Sequence, residues 1–339
     1  MYTYSIEKLE LKFLKPAKTS RNVFTSRTVY FIDILDVNTG SKGRGEASPL
    51  SLLSIDDVED YEVILKEKLD IFCEVGDLRL MELKNFPSIR FGIECALLDL
   101  KTNTPGFLYD TPFTRGESSI PINGLVWMND AESMYQEALM KIDAGFKVIK
   151  FKVGALDFDE ECRMLERIRK IHSAFRVTLR LDANGGFLAG EASEQLKELS
   201  RFDIHSIEQP IQTMLWDDMA RLCSDSVIDI ALDEELIGLI PLDDGDKMLK
   251  HINPQYLILK PNLIGGLQMA DQWIDLAHKQ NVGWWATSAL ESNVGLNAIA
   301  QWVSQYKTTM HQGLGTGSLF SNNTKSNLVL SSGYMSFRL

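Results

Sequence analysis

Four cysteines in 339 residues, Cys73, Cys95, Cys162 and Cys223, lie far apart, with no CxxC pair and no histidine at zinc-like spacing. This scarcity excludes a disulfide framework or a thiolate zinc site. It leaves free thiols that pack as small hydrophobes in a reducing compartment. No apolar run approaches the roughly 18 residues that a membrane span needs. The N-terminus, MYTYSIEKLELKF, lacks the basic start and apolar stretch of a signal peptide, so a cytoplasmic location is expected. Nor does a GxGxxG open a helix after the first strand, which removes the dinucleotide-binding reading. Positive charge is also short, with 35 Lys and Arg against 47 Asp and Glu and a net charge of −12. That balance argues against nucleic acid or an anionic membrane as partner. A small anionic substrate is still allowed, because a metal ion and two lysines reverse the sign locally.

What is present is an ordinary globular composition, 45% hydrophobic and 24% charged, long enough for one barrel-sized unit and a smaller companion. Residues 2–13 and 28–37 alternate as strands, and residues 14–29 contain a basic, loop-like stretch. GRGEASPL (43–50) has turn chemistry, and residues 56–75 and 88–101 have helical periodicity. Together these predict an α+β capping domain over 1–117. From there strand-like runs alternate with helical ones: IPINGLVW, VIKFKV, RVTLRLDAN, IHSIEQP, DIALDEE, YLILKP, VGWWATS and HQGLGTGS. Eight strands and seven intervening helical segments predict a parallel barrel of the (β/α)7β kind over 118–318. The tail, 319–339, is expected to return to the capping domain and complete it.

Five successive strands each end in an ionisable residue: Lys152, Asp182, Glu208, Asp233 and Lys260, at intervals of 30, 26, 25 and 27 residues. Each interval is about one β/α unit, and the carboxyl ends of barrel strands are where such folds place their chemistry. By strand alternation Lys150 shares a face with Lys152, and Arg180 and Asn184 share one with Asp182. A single Asp or Glu at a strand end is more often a helix cap, but that explanation would have to hold at five strands at once. Three carboxylates converging in a barrel interior are costly unless paired. A hard divalent cation resolves the cost: carboxylate and water oxygens suit Mg2+, Mn2+ accepts the same ligands, and the absence of His and Cys disfavours zinc. A metal beside a carboxylate stabilises the enediolate formed when a neighbouring carbon loses its proton. A lysine acts as the base if nearby positive charge helps it shed a proton, a role for Lys150 and Arg180.

The K-x-K pair at Lys150 and Lys152, with the three carboxylates and Lys260, resembles the enolase superfamily in its muconate-lactonizing branch. GRGEASPL, SIRFGIECALLDL, IPINGLVWM, TSALESNVGLNAIAQ and GLGTGSLFSNN are similar to the o-succinylbenzoate synthase family. That resemblance implies Asp182, Glu208 and Asp233 as Mg2+ ligands, Lys152 as acid/base and Lys260 as the stabilising cation. It implies Lys150 and Arg180 as tuning residues, and Thr287 and Ser288 near the substrate's carboxylate or succinyl end. The implied reaction is a syn dehydration of 2-succinyl-6-hydroxy-2,4-cyclohexadiene-1-carboxylate to o-succinylbenzoate, a step of menaquinone synthesis.

Two other readings stay open. Dipeptide epimerases and N-acylamino-acid racemases use the same scaffold with bases on both faces, although the eighth strand, GLGTGS, carries no acid for a substrate ammonium. An inactive barrel serving as a binding module would be expected to lack one of the five residues. The 14–29 segment is a candidate lid over the barrel mouth. Assembly into a homo-oligomer is compatible with everything above.

Overall fold

The computed structural model describes residues 1–338 apart from 19–22 and 103. The chain opens with an antiparallel sheet of β1 (Tyr2–Lys18), β2 (Val23–Asp36) and β3 (Lys42–Ala47), covered by α1 (Tyr61–Val75) and α2 (Pro87–Thr102). The strands therefore extend into the segment expected to be a loop. β1 and β2 stay paired as far as Lys18 and Val23, with an irregularity after Lys12, and residues 19–22 of the expected lid lie outside the described residues. The glycines of GRGEASPL matter for packing: a Cβ at Gly45 would lie 1.9 Å from the Gly92 carbonyl, so α2 rests directly on β3. Ile32, Ile34, Leu65, Leu69, Phe72, Ile89 and Ile93 form this domain's own core.

After β4 (Ile120–Pro121) the parallel sheet begins, with β5 (Gly124–Val126), α3 (Ala131–Asp143), β6 (Val148–Lys152), α4 (Phe158–Ile171) and β7 (Thr178–Asp182). It continues through α5 (Ala192–Leu199), β8 (Ile204–Glu208), α6 (Trp216–Asp225), β9 (Asp229–Leu232) and α7 (Asp246–Ile252). The last units are β10 (Tyr256–Leu259), α8 (Pro261–Ile264), α9 (Leu267–Lys279), β11 (Gly283–Ala286) and α10 (Asn293–Val303). Strands β5 to β11 pair in sequence order, all parallel. The helices form for local reasons. In α4, for example, the Asp157 side chain caps the first turn, acids crowd the start, bases the end, and Cys162, Leu165 and Ile168 face inward.

Two of the eight expected strands are shortened. The first breaks into β4 and β5 around Ile122 and Asn123, since Pro121 has no N–H to extend a ladder. The eighth is reduced to the bridges Ile122–Gln312 and Thr287–Gly313, in a stretch where three glycines offer little to a strand. Those bridges still close the barrel: Gln312 N donates to Pro121 O at 2.8 Å and Gly313 N to Ala286 O at 2.8 Å. The tail divides its contacts. Leu14 N donates to Leu319 O and Ser321 N to Lys12 O, laying 319–321 along β1. The hairpin of β12 (Leu328–Ser331) and β13 (Tyr334–Phe337) instead pairs with β4. All four cysteines are free, three of them buried. Among the described residues no helix is long and apolar enough to cross a membrane.

Candidate active site

The register of the parallel strands assembles the ionisable residues. Lys152 lies opposite Asp182, and Asp182 opposite Glu208, across adjacent strands. Asp233 and Lys260 follow one residue after β9 and β10. All five, with Lys150, are buried. Lys150 Nζ lies 2.9 Å from Asp182 Oδ2 and 2.8 Å from Glu208 Oε2. Lys152 Nζ lies 2.5 Å from the same Asp182 oxygen and 2.8 Å from Asn184 Oδ1. On the far side Lys260 is bonded to Asp233, and its Nζ is 3.9 Å from Glu208 Oε1. The carboxylates therefore stand between Lys152 and Lys260.

Glu234, which sequence reasoning missed, adds a fourth carboxylate; its Oε1 accepts from Asn184 Nδ2 at 2.9 Å. Four acids thus face three ammonium groups, and the imbalance falls unevenly. Burial would raise Asp182, but Lys150, Lys152 and Lys260 outweigh it and hold that carboxyl far below the usual range. Glu208 is pushed up to about 8 by burial and by the charges of Asp182 and Asp233. Burial raises Asp233 as well, despite Lys260. Burial works against the charged forms of Lys150 and Lys260, yet the surrounding carboxylates keep both firmly protonated.

Among the described residues no three acidic, His or Cys side chains are already gathered as a metal-binding group. The ammonium groups occupy the gaps between the carboxylates. The residues nevertheless fit a divalent cation. Glu208 Oε1 is buried without a hydrogen-bond partner, and burial with neighbouring carboxylates disfavours the charged forms of Glu208 and Asp233, a cost that a cation would relieve. The donors are all hard oxygens.

A cleft enclosing about 940 Å³, partly open to solvent, lies over this cluster. Lys150, Lys152, Asn184, Glu234 and Lys260 form one wall, and Thr287 and Ser288 line another. Asn123, Leu125 and Trp127 complete it from the broken first strand, while Phe24 and Leu50–Leu53 cover it from the capping domain. Asn123 Oδ1, Thr287 Oγ1 and Thr316 Oγ1 are buried there without partners. Arg180 is not part of the cleft. Its guanidinium stacks on Trp285 at 3.8 Å and donates to the His311 carbonyl, one layer below, so it does not flank Lys152. Alternation gave the right face but not the depth along the strand.

Buried acceptors fix the strand-end loops. After β6, Glu161 Oε1 accepts from Gly154 N at 2.8 Å, and burial pushes this carboxyl up to about 7. After β8, Gln209 turns back with φ +41°, its Oε1 accepting from Asp233 N at 3.2 Å. After β10, Glu94 of the capping domain accepts from Leu267 N at the start of α9, and burial pushes it up to about 7. After β11, Glu291 holds Ser288 Oγ at 2.7 Å, while Glu46 of β3 accepts from Ser292 N at 3.0 Å and Gly295 N at 2.9 Å. Two capping-domain carboxylates thus sit on the N-termini of consecutive barrel helices, where backbone N–H groups favour negative charge.

Comparison with known proteins places this geometry. Residues 133–338 match the family described as enolase C-terminal domain-like. The o-succinylbenzoate synthase of Desulfotalea psychrophila is 42% identical over 98% of this chain and 98% of its own. The crystal structure of MenC from Desulfotalea psychrophila superposes with a TM-score of 0.86 at 39% identity, covering 99% of each chain. A dipeptide epimerase from Cytophaga hutchinsonii, complexed with Mg and D-Ala-L-Val, shares the fold with a TM-score of 0.82 at 22% identity, over 98% of this chain and 92% of that one.

Proposed function

This chain belongs to the enolase superfamily, in the muconate-lactonizing branch with the o-succinylbenzoate synthases, and we propose that it catalyses their dehydration. The substrate would be 2-succinyl-6-hydroxy-2,4-cyclohexadiene-1-carboxylate, a small anionic carboxylate, and the product o-succinylbenzoate. The observation that carries the reading is the pair Lys152 and Lys260, both lining the cleft, with the acidic cluster between them.

Asp182, Glu208 and Asp233 would hold Mg2+, or Mn2+ through the same oxygens, and the ion supplies positive charge next to the substrate carboxylate as negative charge develops there. Lys152 removes the proton from the carbon bearing that carboxylate. The electron pair moves toward the carboxylate, the bond to the ring hydroxyl breaks, and the proton on Lys152 passes to the departing oxygen on the same face. The leaving group is water and the ring becomes aromatic. Lys260 remains protonated and places a fixed positive charge on the opposite side. Lys150 ties Asp182 to Glu208 and keeps the two carboxylates side by side. Leu50–Leu53 and Phe24 limit water above the cleft.

Epimerisation of a dipeptide or racemisation of an N-acylamino acid is the second reading, favoured by lysines on two sides. Against it, residues 313–318 contain no acid to receive a substrate ammonium. The discriminating assay presents the chelator-treated enzyme with the cyclohexadiene substrate and with a dipeptide panel, before and after adding Mg2+. Turnover of the first, restored by Mg2+, is expected. Comparable or faster epimerisation of a dipeptide would replace this reading with the second.

A further inference from the structure

The opposite end of the barrel holds a second polar cavity. It is formed by Lys147, Arg176, Arg180, His205 and His311 with Thr178, Thr309 and neighbouring apolar groups, and no acidic residue contributes to its wall. In a chain with a net charge of −12, three cations and two imidazoles around one cavity are a marked local reversal.

Arg180 is the informative residue. It is only 2% exposed, yet among the described residues no carboxylate forms a salt bridge with it. One of its nitrogens donates to the His311 carbonyl, Nε has no partner, and the guanidinium stacks on Trp285. Trp285 Nε1, on the strand that supplies this stacking ring, is likewise buried with no acceptor. A buried guanidinium with spare donors is costly unless an acceptor, preferably an anion, approaches it. Arg176 and Lys147 stand exposed at the mouth, where long cationic side chains can draw in and clasp an oxyanion.

We propose that the amino-terminal floor of the barrel binds a small oxyanion of the phosphate class, with Arg180 below it and Lys147 and Arg176 at the entrance. The site is separate from the catalytic cleft, since the two cavities share no lining residue. It does not depend on the reaction assigned to the other end. Its C-terminal helix ends and backbone carbonyls disfavour negative charge, so affinity must come from the three cations.

Inorganic phosphate is the probe, titrated into the full-length protein by calorimetry at constant ionic strength. Saturable binding of one phosphate per chain is expected, and the double substitution Lys147→Glu with Arg176→Glu should weaken it at least tenfold while leaving turnover without phosphate unchanged. Arg180→Met should abolish it; if that variant does not fold, the surface double variant still decides. No saturable binding would mean that the cavity holds water only and overturns the proposal. Binding that competes with substrate and is indifferent to the surface substitutions would place the phosphate in the catalytic cleft, and overturns it equally.

Discussion

Lys152 and Asp182 face each other in register across neighbouring parallel strands, with Nζ 2.5 Å from Oδ2. The proposed base and a proposed metal ligand thus share one carboxylate oxygen. A cation drawn to Asp182 would compete with Lys152 for that oxygen and release the lysine from it. Chelation should therefore suppress turnover, and added Mg2+ should restore it. Turnover titrated against Mg2+ after chelator treatment checks this; a rate indifferent to both chelator and Mg2+ would show that the two are uncoupled.

Gln209 holds the Asp233 backbone through its Oε1 and is itself pinned by Glu235. Support of this kind orients metal ligands, and its loss typically costs about 10–100-fold in metal affinity. Gln209→Ala should weaken Mg2+ binding within that range in a calorimetric titration, while leaving the helical circular dichroism unchanged. Wild-type affinity would assign Gln209 to the fold alone.

The five strand-end residues were legible because a parallel barrel repeats one geometry: each β/α unit returns its last strand residue to the same rim. Gln209 and Glu234 were hidden because they arise in turns, one with φ +41° and the other in a short 3-10 segment after Asp233. Neither position follows from strand alternation. Phe24, Leu50 and Trp127 reach the cleft from the capping domain and a broken strand, contacts that no local periodicity encodes. Arg180 shows the reverse case, since two residues along a strand exchange the cleft for the floor.

Glu94 joins the two domains as a titrating group. Burial raises its folded-state pKa from 4.5 to about 7, opposed by Arg90 and by the α9 backbone. The fold therefore favours the protonated form. The associated stability is fully present below about pH 4.5 and is lost as pH rises through about 7, on the order of 3 kcal/mol at most. Glu94→Gln removes that titration, so wild type should lose stability relative to the variant between these limits in denaturant unfolding. A pH-independent difference would show that Glu94 does not titrate in this window.

Gly266, beside that carboxylate, has φ +93°, and a Cβ there would lie 2.4 Å from Glu94 Oε2. Gly266→Ala combines backbone strain with displacement of the helix cap. It should destabilise the protein by roughly 1–3 kcal/mol, read as a lower Tm, and reduce kcat through the loop that follows Lys260. An unchanged Tm would mean that the interdomain contact yields without cost.

The central claim is that Lys152 carries the proton. Lys152→Ala, purified and saturated with Mg2+, should turn over the cyclohexadiene substrate at least about a thousandfold more slowly than wild type, within the range general acid–base groups supply, while its Tm shows an intact fold. A folded variant with wild-type turnover would contradict the mechanism outright.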